Sequence, residues 1–371
     1  MKTWKMMLAA CLIVVLLPGC WDQKLLKDIR IIDINGLDLN PDGKLQNTSS
    51  VLDVSGPQAS PKESNEIHTG TGNTISHLRD ILDRQISGIY STSKRRFILI
   101  GEGLAKQGIY PYFDALYRDP TTALNAKIAV VEGTAKDAIY TENLGTKLIG
   151  EFFINLIQGM ERKTFVPKVN LQLILPSMLN QGNDFTVPYI TKGKTTPTIS
   201  GIALFNNDKM TGTLNPEESV LYLLMADKLA NNARLILKIN KGENHRPDNY
   251  IGIDIQSVKR KLKVNVQDIR NIKVKLDLNL KVTAIEYSKD HLNERQNLKS
   301  LNTRISEELT KRAKTITQKI QRANHDGLGV GQRIMAYYPN TWKRLHWQDD
   351  YAKVEFLPKV TVRIDSHGII N

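Results

Sequence analysis

The sequence predicts a mixed α/β and α+β fold in three parts: an N-terminal α/β part, a middle part built on a hairpin and a helix, and a C-terminal α+β part. Three patterns lead there. Strand-like and helix-like segments alternate between residues 29 and 145, the order of an α/β sheet. Tyr250–Val266 and Ile272–Tyr287 alternate apolar and polar residues, as in Val274-x-Leu276-x-Leu278-x-Leu280-x-Val282, the period of half-buried antiparallel strands. Leu298, Leu301, Ile305, Leu309, Ile316 and Ile320 then mark one stripe of a helix of about thirty residues, which packs across a sheet. The C-terminal part therefore reads as an antiparallel sheet crossed by one long helix.

In chain order, Ile29–Asn40 reads as a first strand, followed by a Pro41-Asp42-Gly43 turn, with Val51–Val54 as its partner. Ser55–Asn73 is rich in Ser, Gly, Pro and Asn and reads as an exposed loop. Asn73 or Thr74 caps a helix whose Ile75, Leu78, Leu82 and Ile86 share a face. Phe97–Ile100 is a buried strand ended by Gly101-Glu102-Gly103. A helix at Tyr110–Arg118, a strand at Ala126–Val131 and a short helix from Thr134 follow. Leu148–Met160 is again helical. Lys163–Lys194 carries Pro167, Pro176 and Pro188 with a Gln-Gly-Asn-Asp loop at 181–184, and reads as a loosely structured connector. Ile199–Phe205 and Lys209–Leu214 form a hairpin. Asn215-Pro216-Glu217-Glu218 starts a helix running to about Leu229, with a capping Asn, a first-turn Pro and two acids at the positive end of the dipole. Asp326–Gly331 stops the long helix, a short helix lies near Gln332–Tyr338, and Ala352–Phe356 and Val360–Ile364 form a last strand pair. The expected divisions are 1–19, 20–145, 146–245 and 246–371.

Residues 1–19 stand apart as a signal. Lys2 and Lys5 precede an unbroken apolar stretch, Met6–Leu17, closed by Leu17-Pro18-Gly19-Cys20. A basic head, about a dozen apolar residues and a small-residue exit are the pattern of a secretory signal peptide. The run is shorter than the roughly 20 residues of a membrane span. A cysteine at the exit marks a bacterial lipoprotein signal. Cleavage between Gly19 and Cys20 leaves Cys20 at the new N-terminus, its thiol carrying a diacylglycerol whose two acyl chains suffice for stable anchoring. Cys11, the other cysteine, leaves with the signal, so the mature chain has no free thiol, and thiol catalysis and cysteine-ligated zinc are excluded. Losing Lys2 and Lys5 lowers the formal charge from +13 to +11. Outside the cytoplasm, that balance suits anionic headgroups or an anionic wall rather than nucleic acid. The densest basic cluster, Lys259-Arg260-Lys261 with Lys263, alternates with Val258, Leu262 and Val264 and reads as the solvated face of a strand.

Catalytic motifs are missing from the sequence. None of the seven histidines stands three to five residues from another, so no metal site is expected, and no cofactor motif is present. Gly70-Thr71-Gly72-Asn73-Thr74 lacks the lysine and spacing of a phosphate loop. Gly327-x-Gly329-x-Gly331 follows a helix, the wrong context for a dinucleotide fingerprint. G-x-S-x-G is absent. Sequence alone does not pair two carboxylates across a cleft, so a glycosidase-like site stays open. The residues describe a lipid-anchored protein that works by contact.

Gly19-Cys20-Trp21-Asp22, with Leu25 and Asp28 ahead of the first strand, resembles the start of the Ger(x)C family, the C subunits of GerA-type spore germinant receptors. The segment Phe97–Ile109 (FILIGEGLAKQGI) resembles the family's strand–Gly–Glu–helix stretch, and Tyr117-Arg118-Asp119 its next helix end. Gly201–Phe205, Asp208-Lys209 and Gly212–Glu218 resemble its central hairpin and helix. Asp326-Gly327-Leu328-Gly329, Pro339-Asn340-x-Trp342, Trp347 and Gly368 resemble its C-terminal signature. Two departures stand out: Leu328 replaces a usual aromatic, and Lys94-Arg95-Arg96 occupies the place of a usual His. The resemblance implies a non-catalytic lipoprotein at the outer face of the spore inner membrane, needed for receptor assembly and for triggering germination by nutrients. Its implied partners are a transporter-like multi-span subunit and a second membrane subunit. The competing readings are a solute-binding lipoprotein that captures the germinant and a wall enzyme. The polar motif residues Glu102, Arg118, Asp208, Asp326 and Trp342 scatter over all three parts, so the chain is not expected to bind the nutrient itself.

Overall fold

A computed structural model describes Trp4 and residues 28–55, 62–141, 148–193, 196–240, 246–289 and 292–366. Gly19 and Cys20 lie outside the described residues. The first sheet takes β1 (Ile29–Leu39), β2 (Leu45–Ser55), β3 (Lys62–Gly72), β4 (Ile89–Ser91), β5 (Phe97–Gly101), β6 (Lys127–Val131), β7 (Thr186–Thr191), β8 (Thr198–Asn206) and β9 (Lys209–Leu214). Its order is β3-β2-β1-β5-β6-β7-β8-β9, with β4 also pairing β1. The centre, β1-β5-β6-β7, is parallel, and both ends are antiparallel. All five residues of β5 are buried, as a central parallel strand covered on both faces requires.

Helices cover the two faces. Ile98 and Ile100 share one core with Leu78 of α1 (Ile75–Asp83), Leu104 of α2 (Glu102–Gln107) and Phe113 of α3 (Tyr110–Arg118). Phe97 and Leu99 point the other way, toward Ile139 of α4 (Ala135–Ile139) and Phe153 of α5 (Ile149–Arg162).

Two stretches differ from the sequence reading. The expected loop Ser55–Asn73 contains β3, paired along its length with β2 from Leu45↔Gly72 to Ser55↔Lys62. Its residues carry no apolar alternation because cross-strand polar pairs hold it: Thr48 and Thr69 hydroxyls meet at 3.2 Å, and Ser50 Oγ donates to Asn65 Oδ1 at 3.0 Å. The expected connector contains α6 (Leu171–Leu179) and β7. Asn170 caps α6 by accepting from the Leu173 N–H at 2.9 Å, and Pro176 lies inside the helix, giving up one i→i−4 backbone bond. Pro188 precedes the two positions at which β7 pairs β6, Tyr189 and Ile190.

The second sheet has the order β10 (Ala233–Lys238), β11 (Tyr250–Asp268), β12 (Asn271–Glu286), β13 (Glu355–Ser366). The segment expected as a middle part is thus divided, with β7–β9 extending the first sheet and β10 opening the second. Helix α7 (Pro216–Met225) lies between them, with Ser219 to Met225 all buried. The long helix α8 (Arg295–Arg322) crosses the second sheet as expected, burying Leu301, Ile305, Leu309, Ile316 and Ile320. The antiparallel expectation holds for β10, β11 and β12 but not for β13, which runs parallel to β12. The cause is α8 itself, which supplies the long crossover that a parallel pair needs. The expected terminal strand pair is one strand, and Pro358 is tolerated because β13 is an edge.

That edge is not left bare. Asn302, Ser306 and Thr310, four residues apart on α8, accept the backbone N–H groups of Ile364, Val362 and Val360 at 3.0, 2.9 and 3.0 Å. The cores also meet. In β8, Ala203 and Phe205 join the first sheet's core, whereas Ile202 and Leu204 join the core of the second.

Candidate functional site

Of the polar residues singled out in sequence, Asp326 and Trp342 come together at one place, around the loop after α8. Asn324 there takes a left-handed conformation (φ 49°), and α9 (Val330–Tyr337) begins after Gly329 at φ 71°. Gly329 offers α9 no side-chain cap, and Asp326 supplies one from three residues upstream. Its Oδ1 accepts the Val330 N–H at 2.8 Å, and its Oδ2 accepts the Gly331 N–H at 2.7 Å and the Trp347 indole N–H at 3.1 Å. Trp342 packs against Trp347 with the rings tilted and their centroids 5.6 Å apart.

Asp326 is in turn clasped by Asp184. The Asp326 N–H donates to Asp184 Oδ2 at 2.7 Å, and the Asp184 N–H donates to the Asp326 carbonyl at 3.2 Å. Asp184 Oδ1 accepts the Asn207 N–H at 2.9 Å, reaching the β8–β9 turn. Beside them, His325 Nδ1 meets the Phe205 carbonyl, so Nδ1 carries the proton and Nε2 accepts from the Tyr222 hydroxyl at 2.8 Å. Tyr351 donates to the His325 carbonyl at 2.8 Å. These side chains come from the loops after α6 and α8, from α7 and from the segment ahead of β13.

Burial governs their charges. It pushes His325 down to about 4, helped by the nearby Lys228 charge and opposed by the Phe205 carbonyl. It pushes Asp184 up to about 6 against the two backbone N–H donors, and Asp326 well above the carboxylate range, with Asp184 adding to the rise. The Tyr222 hydroxyl is raised for the same reason. The void at this joint is about 20 Å³, space for about one water and for no substrate. Its chemistry is that of a hydrogen-bonded clasp around a neutral imidazole.

Other expected residues stay apart. Glu102 pairs with Lys106 at 2.8 Å within α2. Asp208 Oδ2 accepts the Tyr110 N–H at 3.3 Å and steadies the start of α3. Arg118 lines a cleft beside α3, its Nε held by Asp114 at 2.8 Å. Gly70 and Gly72 lie in β3, and Thr74 caps α1 by accepting the His77 N–H at 3.1 Å. Gly327 and Gly331 are needed for space: an added Cβ at Gly327 would meet the Tyr222 hydroxyl at 1.9 Å. Lys259, Lys261 and Lys263 lie exposed on β11, whereas Arg260 turns the other way and donates to the Leu328 carbonyl at 3.3 Å. Among the described residues, no three His, Cys, Asp or Glu side chains converge as metal ligands, and no helix is long and apolar enough to cross a membrane.

Comparison with known proteins accounts for both halves of the chain. Residues 22–192 match the spore germination protein N-terminal domain, and residues 200–368 match the spore germination B3/GerAC-like C-terminal domain. The chain belongs to the Ger(x)C family of spore germination proteins. Spore germination protein GerQC of Bacillus cereus is 20% identical over 371 residues, covering 100% of this chain and 99% of that protein. Spore germination protein A3 of Bacillus subtilis (strain 168) is 22% identical, covering 94% of each. The crystal structure of the GerBC protein matches with a TM-score of 0.58 at 15% identity, covering 89% of this chain and 96% of that one, so the two share a fold. The joint between Asp184 and Asp326 thus lies in a Ger(x)C protein and ties its N-terminal to its C-terminal domain.

Proposed function

We propose that this chain is a lipid-anchored subunit of a spore nutrient-germinant receptor, needed for receptor assembly and for triggering germination. The observation that carries this reading is the reach of the likeness. Proteins named for spore germination align with between 94% and 100% of the chain, leaving no large segment for another task. The subunit works without catalysis, by contact with a transporter-like multi-span subunit and a second membrane subunit at the outer face of the spore inner membrane. The lipid on Cys20 supplies its membrane hold, in keeping with the basic head and apolar run before Gly19. The filled joint supports this reading, since it fixes the two domains as one contact surface and admits no substrate.

The test is affinity capture of the tagged chain from dormant-spore membranes. A multi-span protein and a second membrane protein are expected in amounts comparable to the bait. Recovery of the bait alone, under detergent conditions that preserve other membrane complexes, overturns the proposal.

A further inference from the structure

Arg95 lies in the turn ahead of β5, its N–H donating to the Thr92 carbonyl at 3.1 Å. Its side chain is 5% exposed and lines a cleft of about 840 Å³ bounded by the first turn of α1, by α3 and by β1. One nitrogen is fixed: Nη1 donates to Asn35 Oδ1 at 3.1 Å. Asn35 is held in turn, with Asn47, Ser49 and the Tyr90 hydroxyl all within 3.1 Å of its Nδ2. The other two nitrogens, Nε and Nη2, have no hydrogen-bond partner, and neither has the Thr122 hydroxyl, 8% exposed, in the same cleft. Burial pushes Arg95 down to about 10, so it remains a cation at neutral pH.

A buried, unpaired guanidinium is an expensive feature to keep without a counter-charge. The cleft supplies none in contact with it: Asp119 acts on Arg95 only through space and is already paired with Arg79. Of the other arginines lining it, Arg79 holds Asp119 at 2.8 Å and Arg118 holds Asp114 at 2.8 Å. Asp119 is also engaged by the Thr121 N–H and hydroxyl at 2.8 and 2.6 Å. No acid stands in the first turn of α1, whose Thr74, Ile75 and Ser76 line the cleft. The excess of one positive charge is Arg95.

The identity of the free nitrogens narrows the ligand. Nε and Nη2 form one edge of the guanidinium plane, the fork that takes both oxygens of a carboxylate. This chain uses that same edge twice: Arg96 grips both oxygens of Asp33, and Arg234 grips those of Asp254 at 2.7 and 2.9 Å. We propose that the cleft between α1 and α3 is a binding site for a small organic carboxylate, whose two oxygens accept from Nε and Nη2 of Arg95. Leu37, Ile75 and Leu116 give the rest of the molecule an apolar wall, and Thr122 offers one more polar contact. The volume lies within the usual range of small-molecule sites. The site is built around Lys94-Arg95-Arg96, the segment where the sequence departs from the family pattern. It goes beyond the receptor reading and stands or falls on the isolated chain, independently of what that chain assembles with.

The test is calorimetric titration of the full chain in detergent with sodium acetate, succinate, L-alanine and L-glutamate, and with phosphate and sulfate as a second arm. At least one carboxylate is expected to saturate at or below the millimolar range. Arg95→Lys keeps the charge but not the fork, and should weaken that binding at least tenfold. Asn35→Asp gives Arg95 an internal counter-charge in nearly the same shape, and should weaken it as much. Lys94→Gln, exposed and outside the cleft, should leave it unchanged. The proposal is overturned if no carboxylate saturates, if both Arg95→Lys and Asn35→Asp bind within twofold of the unaltered chain, or if phosphate or sulfate binds as tightly as the best carboxylate.

Discussion

The backbone N–H of Asp326 donates to the carboxylate of Asp184 at 2.7 Å, joining two loops 142 positions apart in sequence. Asp184 returns a backbone bond to the Asp326 carbonyl, so the contact runs both ways. One loop leaves α6 of the first sheet, and the other leaves the helix that crosses the second. This clasp, with His325 between Phe205 and Tyr222, makes the two cores one body at this point.

The clasp works because backbones approach closely. A Cβ added to Gly331 would stand 2.5 Å from Gly182 Cα and 2.7 Å from Trp347 Nε1. Gly331→Ala should therefore cost about 1–3 kcal/mol by overpacking. Gly103→Ala is the control, since nothing lies within 4 Å of that position in α2, and alanine there should be neutral or stabilising by about 0.5–1 kcal/mol. Urea unfolding of both variants checks the contrast. Equal midpoints would show that the loops can separate freely.

Much of this was legible in the sequence, and what was not has a physical cause. The stripe from Leu301 to Ile320 and the alternation of β12 report burial on one face, and burial is what hydrophobic periodicity encodes. Strand β3 escaped because Thr69 and Asn65 are held by polar partners on β2, which leave no apolar signal. Helix α6 escaped because Pro176 suggested a break, whereas the helix runs through it and gives up one backbone bond. At the joint, Asp326 and Trp347 stood out, but Asp184 looked like an ordinary loop residue and His325 like an isolated histidine. Their roles come from partners 142 and 103 positions away, a distance at which one sequence carries no pairing signal.

The long helix should rank its own substitutions. Leu309 and Ile305 are fully buried against the second sheet, so truncating either to Ala should cost about 2–5 kcal/mol. Ser306→Ala removes the acceptor for the Val362 N–H at the sheet's edge and the hydroxyl's bond to the Asn302 carbonyl, and should cost about 1 kcal/mol. Thermal melts of the three variants give the order, and a Ser306→Ala loss as large as Leu309→Ala would mean that the edge bond, not the stripe, holds α8.

The proposed anchor rests on one sulfur. Cys20→Ala should abolish labelled palmitate incorporation and release the chain from the membrane fraction, while the released chain keeps its melting temperature. Function should then fall through loss of membrane concentration and not through misfolding. Label in the Cys20→Ala chain equal to that in the unaltered one would refute the anchor.

The pH dependence of stability follows from the joint, where two groups act with opposite sign. His325 is held at about 4 in the fold, against an ordinary value of 6.5. Its folded pKa is depressed, so its contribution is fully present above about 6.5 and is lost as pH falls toward 4. That loss is about 3 kcal/mol over this window. Asp184 is raised to about 6 from an ordinary 3.8. Its contribution is present below about 3.8 and is lost as pH rises through 6, so acidification restores what it costs His325. Single variants should separate the two effects. The stability gap between the unaltered chain and His325→Gln should shrink by about 3 kcal/mol on going from pH 7 to pH 4, whereas the gap to Asp184→Asn should widen in the chain's favour. Chemical unfolding at four or five pH values measures both gaps, and two gaps that move in parallel would show that these groups are not titrating inside the fold.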